Sequence, residues 1–180
     1  MLFEVSDKEK KKAKVPHDLF LVNLIGNHIL TFVATLGLAT SWAWPMLAVP
    51  IISFVILGII IRKGFLVRKL AARQEESWYV MCHWQIALKR SLFFIKMIVA
   101  IMAIAAFGVY GYTSLGWMKE AVFAMIGGGC ILPIMVTTLV LILMESDALH
   151  QAAEGKLPDS MIDLYPNPEA KILESKPVEQ

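Results

Sequence analysis

Long apolar stretches alternate with shorter polar ones along this chain, and the pattern predicts four membrane-spanning helices. The apolar stretches run over about 19–44, 45–61, 92–112 and 121–144. A helix needs about 20 apolar residues to cross the roughly 30 Å of hydrocarbon in a bilayer. Only a helix satisfies its own backbone groups there, and no stretch shows the period of two that a barrel strand requires. The predicted fold is therefore all-α, a bundle of four transmembrane helices.

Composition agrees with a membrane location and argues against several other classes. Hydrophobic residues make up 57% of the 180 residues, against about 45–50% in soluble domains. Two cysteines, Cys82 and Cys130, are too few for a disulfide framework, and no further Cys or His pair stands at metal-site spacing from Cys82 and His83. The first apolar stretch is longer than a signal-peptide core, so we expect it to remain as an anchor.

Basic residues gather at one end of the predicted spans. Five lysines precede the first span and eight basic residues lie in 62–96, whereas the other two connections contain a single basic residue, Lys119. Connections rich in Lys and Arg stay in the cytoplasm, so both termini and the middle connection are expected there. Aromatic residues are expected to mark the opposite interface, namely Trp42, Trp44, Tyr110, Tyr112 and Trp117.

The stretch 62–91 follows the second span and is predicted to be an amphipathic cytoplasmic segment. Apolar residues recur in it at helical spacing between basic ones, which indicates helical extensions near the headgroups, bent at Gly64 or at 74–76. An ordinary solvated loop is the alternative. Lys96, one turn into the third span, should extend to the same surface. The predicted membrane-surface residues are Arg62, Lys63, Arg68, Lys69, Arg73, Trp84, Lys89, Arg90 and Lys96.

Both terminal regions are predicted to be cytoplasmic. Residues 1–18 form a basic segment, and the fourth helix should continue past Met144 to a C-cap at Gly155. Residues 145–180 have a net charge of −5 and contain four prolines. The part after Gly155 is therefore expected to be flexible. Its one apolar cluster, at 161–165, is expected to dock on a partner.

Polar residues follow one face of the first span. Asn23, Asn27, Thr31 and Thr35 recur at steps of four, and such a face should meet another helix rather than lipid. His28 lies beside this face near the predicted bilayer centre, where a histidine is a candidate for haem or proton chemistry. No other span contains a histidine to complete a haem site, so a packed histidine is the favoured interpretation and no cofactor is expected.

Glycines interrupt the fourth span. Gly127, Gly128 and Gly129 precede Pro133, a pattern that allows close helix approach and a kink. Transporters use broken helices to bind substrates, but no acid or base accompanies this break, so we interpret it as a helix–helix interface.

The function follows from what the sequence contains and lacks. It shows no phosphate loop, nucleophile elbow or zinc-binding helix motif, so we expect no enzyme. The favoured hypothesis is a non-catalytic accessory subunit or assembly factor of a larger membrane complex. Alternatives are a redox or quinone-associated anchor using His28, or a small oligomeric channel or transporter. Expected partners are membrane lipid and other membrane subunits or further copies, not nucleic acid. The expected location is the cell membrane, the inner membrane in a Gram-negative bacterium.

Overall fold

The lysine-rich segment before the first apolar stretch is already helical. In this computed structural model, which describes residues 1–31, 33 and 48–174, helix α1 spans Asp7–Leu21. Ser6 caps it, because its hydroxyl accepts from the Glu9 N–H and the Glu9 carboxylate accepts from the Ser6 N–H. The helix then widens into a π-helical segment, Val22–Thr31. The first helix therefore begins well before the predicted start of the span at Leu19.

The rest of the described chain is also mainly helical. Helix α2 spans Ala48–Ala72 and α3 spans Trp78–Leu115. Helix α4, Lys119–Ala124, runs through a second π-helical segment, Met125–Ile131, into α5, Leu132–Glu154. The predicted C-cap is confirmed, because Gly155 follows α5 in the left-handed conformation with φ of 87°. The remaining elements are helix α6, Asp159–Leu164, and strands β1, Leu2–Phe3, and β2, Ile172–Glu174.

Three described helices are long and apolar enough to cross a membrane. They are Ala48–Ala72, Trp78–Leu115 and the continuous stretch Lys119–Glu154, and they contain most of the predicted second span and all of the third and fourth. Much of the predicted first span lies outside the described residues, and so do Thr35 of the polar face and the aromatic residues Trp42 and Trp44.

Helices α2 and α3 form an antiparallel hairpin whose bend lies at one of the two predicted places. The bend falls between Ala72 and Trp78, where Gln74 has φ of 59°, and α2 runs unbroken through Gly64. A Cβ at Gly64 would lie 2.6 Å from Cδ1 of Leu88, so this glycine allows close packing of α2 on α3 rather than a bend. The solvated-loop alternative for 62–91 is wrong, because helices fill nearly all of it.

The first residues of the chain and the described part of its C-terminal region pack on the start of α3. Strand β1 pairs antiparallel with β2, and the Met1 ammonium group donates to the Leu157 carbonyl oxygen at 3.0 Å. Leu157 and Met161 are buried against Tyr79, Met81 and Cys82 in one apolar core. We call this region the terminal module; it comprises residues 1–21, 78–90 and 145–174.

The tail differs from the predicted flexible segment. Helix α6 inserts Met161 into the apolar core, and Trp78 Nε1 donates to the Tyr165 carbonyl oxygen at 2.7 Å. The sequence prediction was wrong because it assumed that only a partner could supply an apolar groove. In the structure the chain supplies that groove itself, at the start of α3.

The opposite end of the bundle is much less covered. We call residues 99–143 the distal hairpin. It comprises the C-terminal part of α3, all of α4, the second π-helical segment and the first half of α5. Large apolar side chains along it are exposed, among them Phe107, Phe123 and Leu143. Such a surface is stable in hydrocarbon rather than in water.

Candidate functional site

A buried ionic cluster joins three helices of the terminal module. His17 from α1, His83 and Arg90 from α3 and Glu145 from α5 form it, and we call these four residues the ionic cluster. Nδ1 of His17 lies 2.6 Å from Oε2 of Glu145, and Nη1 of Arg90 lies 2.9 Å from Oε1. His17, His83 and Glu145 have no solvent-exposed surface, while Arg90 is partly exposed. Among these four residues, the guanidinium group of Arg90 is therefore the part of the cluster that meets solvent.

Hydrogen bonds connect all four residues of the ionic cluster. A carboxylate only accepts, so Nδ1–H of His17 and the Arg90 guanidinium both donate to Glu145. Nε2 of His17 lies 3.0 Å from Nδ1 of His83, so one of these two nitrogens donates to the other. That direct contact leaves no space for a metal ion between the rings. In the described part of the chain, no group of three His, Cys, Asp or Glu side chains is arranged to hold a metal.

Sequence reasoning missed this cluster. It placed His17 in the basic segment before the first span and Glu145 just after the fourth span. His17 and Glu145 both lie in polar stretches, so hydropathy alone predicts that their side chains are exposed to solvent. One signal was available: His17, Arg90 and Glu145 all stand at the same end of the predicted spans, so a bundle brings them to a similar depth.

A second polar cluster links the first π-helical segment to α2. Nδ2 of Asn23 donates to Oγ of Ser53 at 2.9 Å, and Nδ2 of Asn27 donates to the Val49 carbonyl oxygen at 2.8 Å. Nε2 of His28 lies 2.9 Å from the same Ser53 oxygen. The structure thus places Asn23 and Asn27 against another helix. Thr31 ends the segment, and Ser53, which sequence reasoning did not single out, lies at the centre of the cluster.

The imidazole of His28 is held on two sides. Ser53 contacts its Nε2, and the ring meets Phe94 edge-on with centroids 5.0 Å apart. The ring also lines a cavity between the helices together with Thr138 of α5. π-helical turns are rare and often occur at functional sites, and here one carries the three polar residues of this cluster.

The glycine run in the second π-helical segment faces outward. A Cβ at Gly127 or Gly128 would meet no described atom within 4 Å, and at Gly129 it would meet only Cγ of Met125 at 3.9 Å. By contrast, a Cβ at Gly108 would collide with Cε of Met125. The described residues therefore pack closely on Gly108 but leave Gly127 and Gly128 uncovered.

The predicted membrane-surface residues divide into two groups. The prediction that Trp84 lies at the membrane surface is wrong. Its side chain is only 5% exposed and packs with Phe20 and Ile60, because its side of α3 faces α1 and α2. Arg90 is partly buried in the ionic cluster. The remaining residues are exposed, namely Arg62, Lys63, Arg68, Lys69, Arg73, Lys89 and Lys96.

No family model, no curated protein sequence and no solved structure matches the chain. The described residues form an all-helical protein with three helices able to cross a membrane, which is the architecture of a multi-pass membrane protein.

Proposed function

We propose that this protein is a non-catalytic accessory subunit or assembly factor of a larger membrane complex. The uncovered glycine run, Gly127 to Gly129, carries the proposal. Glycine within a helix destabilises it by about 1 kcal/mol relative to alanine. In membranes that loss is offset where another helix packs closely on the glycine surface. The described residues leave Gly127 and Gly128 uncovered, and we assign this surface to a helix of another subunit or of a second copy.

The contrast with the other glycines supports this assignment. Gly64, Gly108 and Gly111 each have a side chain of the same chain where a Cβ would stand. A Cβ at Gly58 in α2 would also meet no described atom within 4 Å. Gly58 is a single glycine, however, whereas 127–129 are three glycines in succession. The contact with another subunit is therefore assigned to the distal hairpin. Met161 of the tail is buried within the chain, so we do not assign the contact to it.

The proposed topology has four spans, with the first apolar stretch as the additional span and both termini in the cytoplasm. The distribution of basic residues supports it, since thirteen lie within 1–18 and 62–96, whereas the connections at the other end contain one, Lys119. The cell membrane is the proposed location, the inner membrane in a Gram-negative bacterium. A compartment-specific reporter fused to the C-terminus should be active only in the cytoplasm, and one inserted at Ser114 only outside. A C-terminal fusion active outside would contradict the topology.

Copurification tests the proposed subunit role. Tagged wild-type protein, Gly128→Leu and Ala103→Leu are extracted in mild detergent, with Ala103 as an exposed small residue of α3 on the same distal hairpin. We expect an integral membrane partner, or a second copy with a different tag, to copurify stoichiometrically with wild type and Ala103→Leu. Recovery with Gly128→Leu should fall about tenfold at unchanged thermal stability. Equal recovery with all three chains, or no stoichiometric partner, would contradict the proposal.

A further inference from the structure

A cavity of about 710 Å³ lies between the helices beside His28. The first π-helical segment, α2, α3 and the stretch around α5 all contribute to its wall. Sites that hold drug-sized molecules have volumes of about 300–1,000 Å³ and lie between helices of bundles. Residues on the wall include His28, Val49, Ile98, Met102, Ile134 and Thr138.

The chemistry of the wall is almost entirely apolar. His28 and Thr138 are its polar side chains, and no Lys, Arg, Asp or Glu is among the described lining residues. His28 is oriented by its contact with Ser53 and by the edge of Phe94. Thr138 is buried. Apolar cavities do not hold water well, so an apolar occupant is favoured.

In the part of the chain that the structure describes, the cavity reaches the outside of the helical bundle. Its wall includes Val33, Met135 and Leu139, whose side chains are also largely exposed on the outer surface. In a membrane these residues contact hydrocarbon, so a molecule dissolved in the bilayer can enter without crossing water.

We propose that this cavity binds a neutral, membrane-soluble molecule with a carbonyl- or hydroxyl-bearing head and a hydrocarbon tail, of the quinone class. The head lies at His28 and Thr138, where an imidazole and a hydroxyl offer hydrogen bonds, and the tail extends along the apolar wall. A phospholipid head is a poor match, because the described lining residues include no cation to pair with its phosphate. The proposal concerns binding and assigns no electron transfer. It uses a different surface from the glycine run.

Binding of a short-chain probe to the purified full-length protein in lipid nanodiscs provides the test. The probe is a benzoquinone with a decyl tail, compared with decylbenzene, which has no carbonyl, and with phosphatidylglycerol. We expect saturable binding of the quinone, at least tenfold tighter than either comparison molecule. Equal binding of decylbenzene would show that no head group is recognised, and tighter binding of phosphatidylglycerol would show that the head is not neutral. Either result overturns the proposal.

Variants link the binding to the cavity. His28→Phe keeps the ring against Phe94 but removes its hydrogen bonds, and Met102→Trp fills the cavity; His150→Phe, at an exposed histidine, is the control. We expect about tenfold weaker binding in His28→Phe, a larger loss in Met102→Trp and no change in the control. Thr138→Val, with a smaller expected loss, replaces His28→Phe if that variant does not fold. Unchanged binding in Met102→Trp and in the head-group variant would show partition into lipid and overturn the proposal.

Discussion

The two ends of α3 lie in different surroundings although both are apolar in sequence. From Tyr79 to Leu88 every residue is buried, including the polar side chains of His83 and Gln85. From Val99 onward most side chains are exposed, and Phe107 and Tyr110 are each more than half exposed. The buried end packs in the terminal module, and the exposed end belongs to the distal hairpin.

Polar groups show what separates these regions. In the terminal module Nε2 of Gln85 donates to the Gly64 carbonyl oxygen at 2.9 Å, so the protein itself satisfies a buried amide. On the distal hairpin the Thr113 hydroxyl donates to the Val109 carbonyl oxygen of its own helix. The first arrangement needs a tertiary neighbour and the second does not. We infer that internal packing stabilises the terminal module, whereas the distal hairpin depends on lipid and on other subunits.

Loss of the carboxylate in the ionic cluster should have the largest effect. Glu145→Gln leaves the buried His17 and Arg90 without their anion, and breaking a buried ion pair destabilises proteins by about 3–5 kcal/mol. We expect a decrease of about 4 kcal/mol in the free energy of unfolding, measured by denaturant titration in detergent. Asp147→Asn, at an exposed acid on the same helix, is the control and should change little. Similar stability of the two variants would mean that the cluster does not hold the terminal module together.

Truncation of the buried methionine in α6 should come next. Met161 is 3% exposed, whereas Leu164 on the same short helix is 49% exposed. Met161→Ala should decrease the free energy of unfolding by about 3 kcal/mol through the lost burial and the cavity left behind, and Leu164→Ala by less than about 1 kcal/mol. Amide exchange should be slow over 161–165 in wild type and fast in Met161→Ala. Rapid exchange in the wild-type monomer would restore the flexible-tail interpretation.

Enlargement of an alanine should separate the two ends of α3 directly. Ala87 is fully buried, and Ala103 is exposed on the distal hairpin. Ala87→Leu should destabilise the protein by about 1–3 kcal/mol through overpacking, whereas Ala103→Leu should be neutral in detergent. Thermal unfolding of the two variants beside wild type gives the comparison. Equal effects would show that Ala103 is also packed against protein, and the distinction between the regions would have to be redrawn.

The smallest effect should come from acid titration at the start of α1. The Ser77 hydroxyl, together with Ser6, lowers the pKa of Glu9 below its usual value. The ionised form is thus favoured in the folded state, so its stabilising contribution is present above the unfolded pKa and disappears as pH falls through the lower folded pKa. Thermal unfolding between pH 7 and 3 should therefore converge for wild type and Glu9→Gln at low pH. A difference that grows as pH falls would reverse the assigned sign.

Several features followed from local properties of the sequence. Apolar length predicted the three membrane-length helices, and the glycine at 155 predicted the end of α5, because both depend on the chain near each residue. The polar face of Asn23 and Asn27 was also visible, since steps of four align side chains along one helix. Its acceptor Ser53 was not visible, because a lone serine in an apolar stretch has no local signature.

Only the tertiary structure could decide which polar residues are buried. His17, Arg90 and Glu145 stand in hydrophilic stretches far apart in sequence, and their burial depends on three helices meeting at one depth. Trp84 was predicted at the membrane surface and Met161 in a flexible tail, yet both lie in apolar cores. Hydropathy measures how strongly a segment avoids water. It does not specify whether lipid, a partner or the chain itself buries the segment, since all three offer a similar apolar environment. Long-range packing decides which of them does.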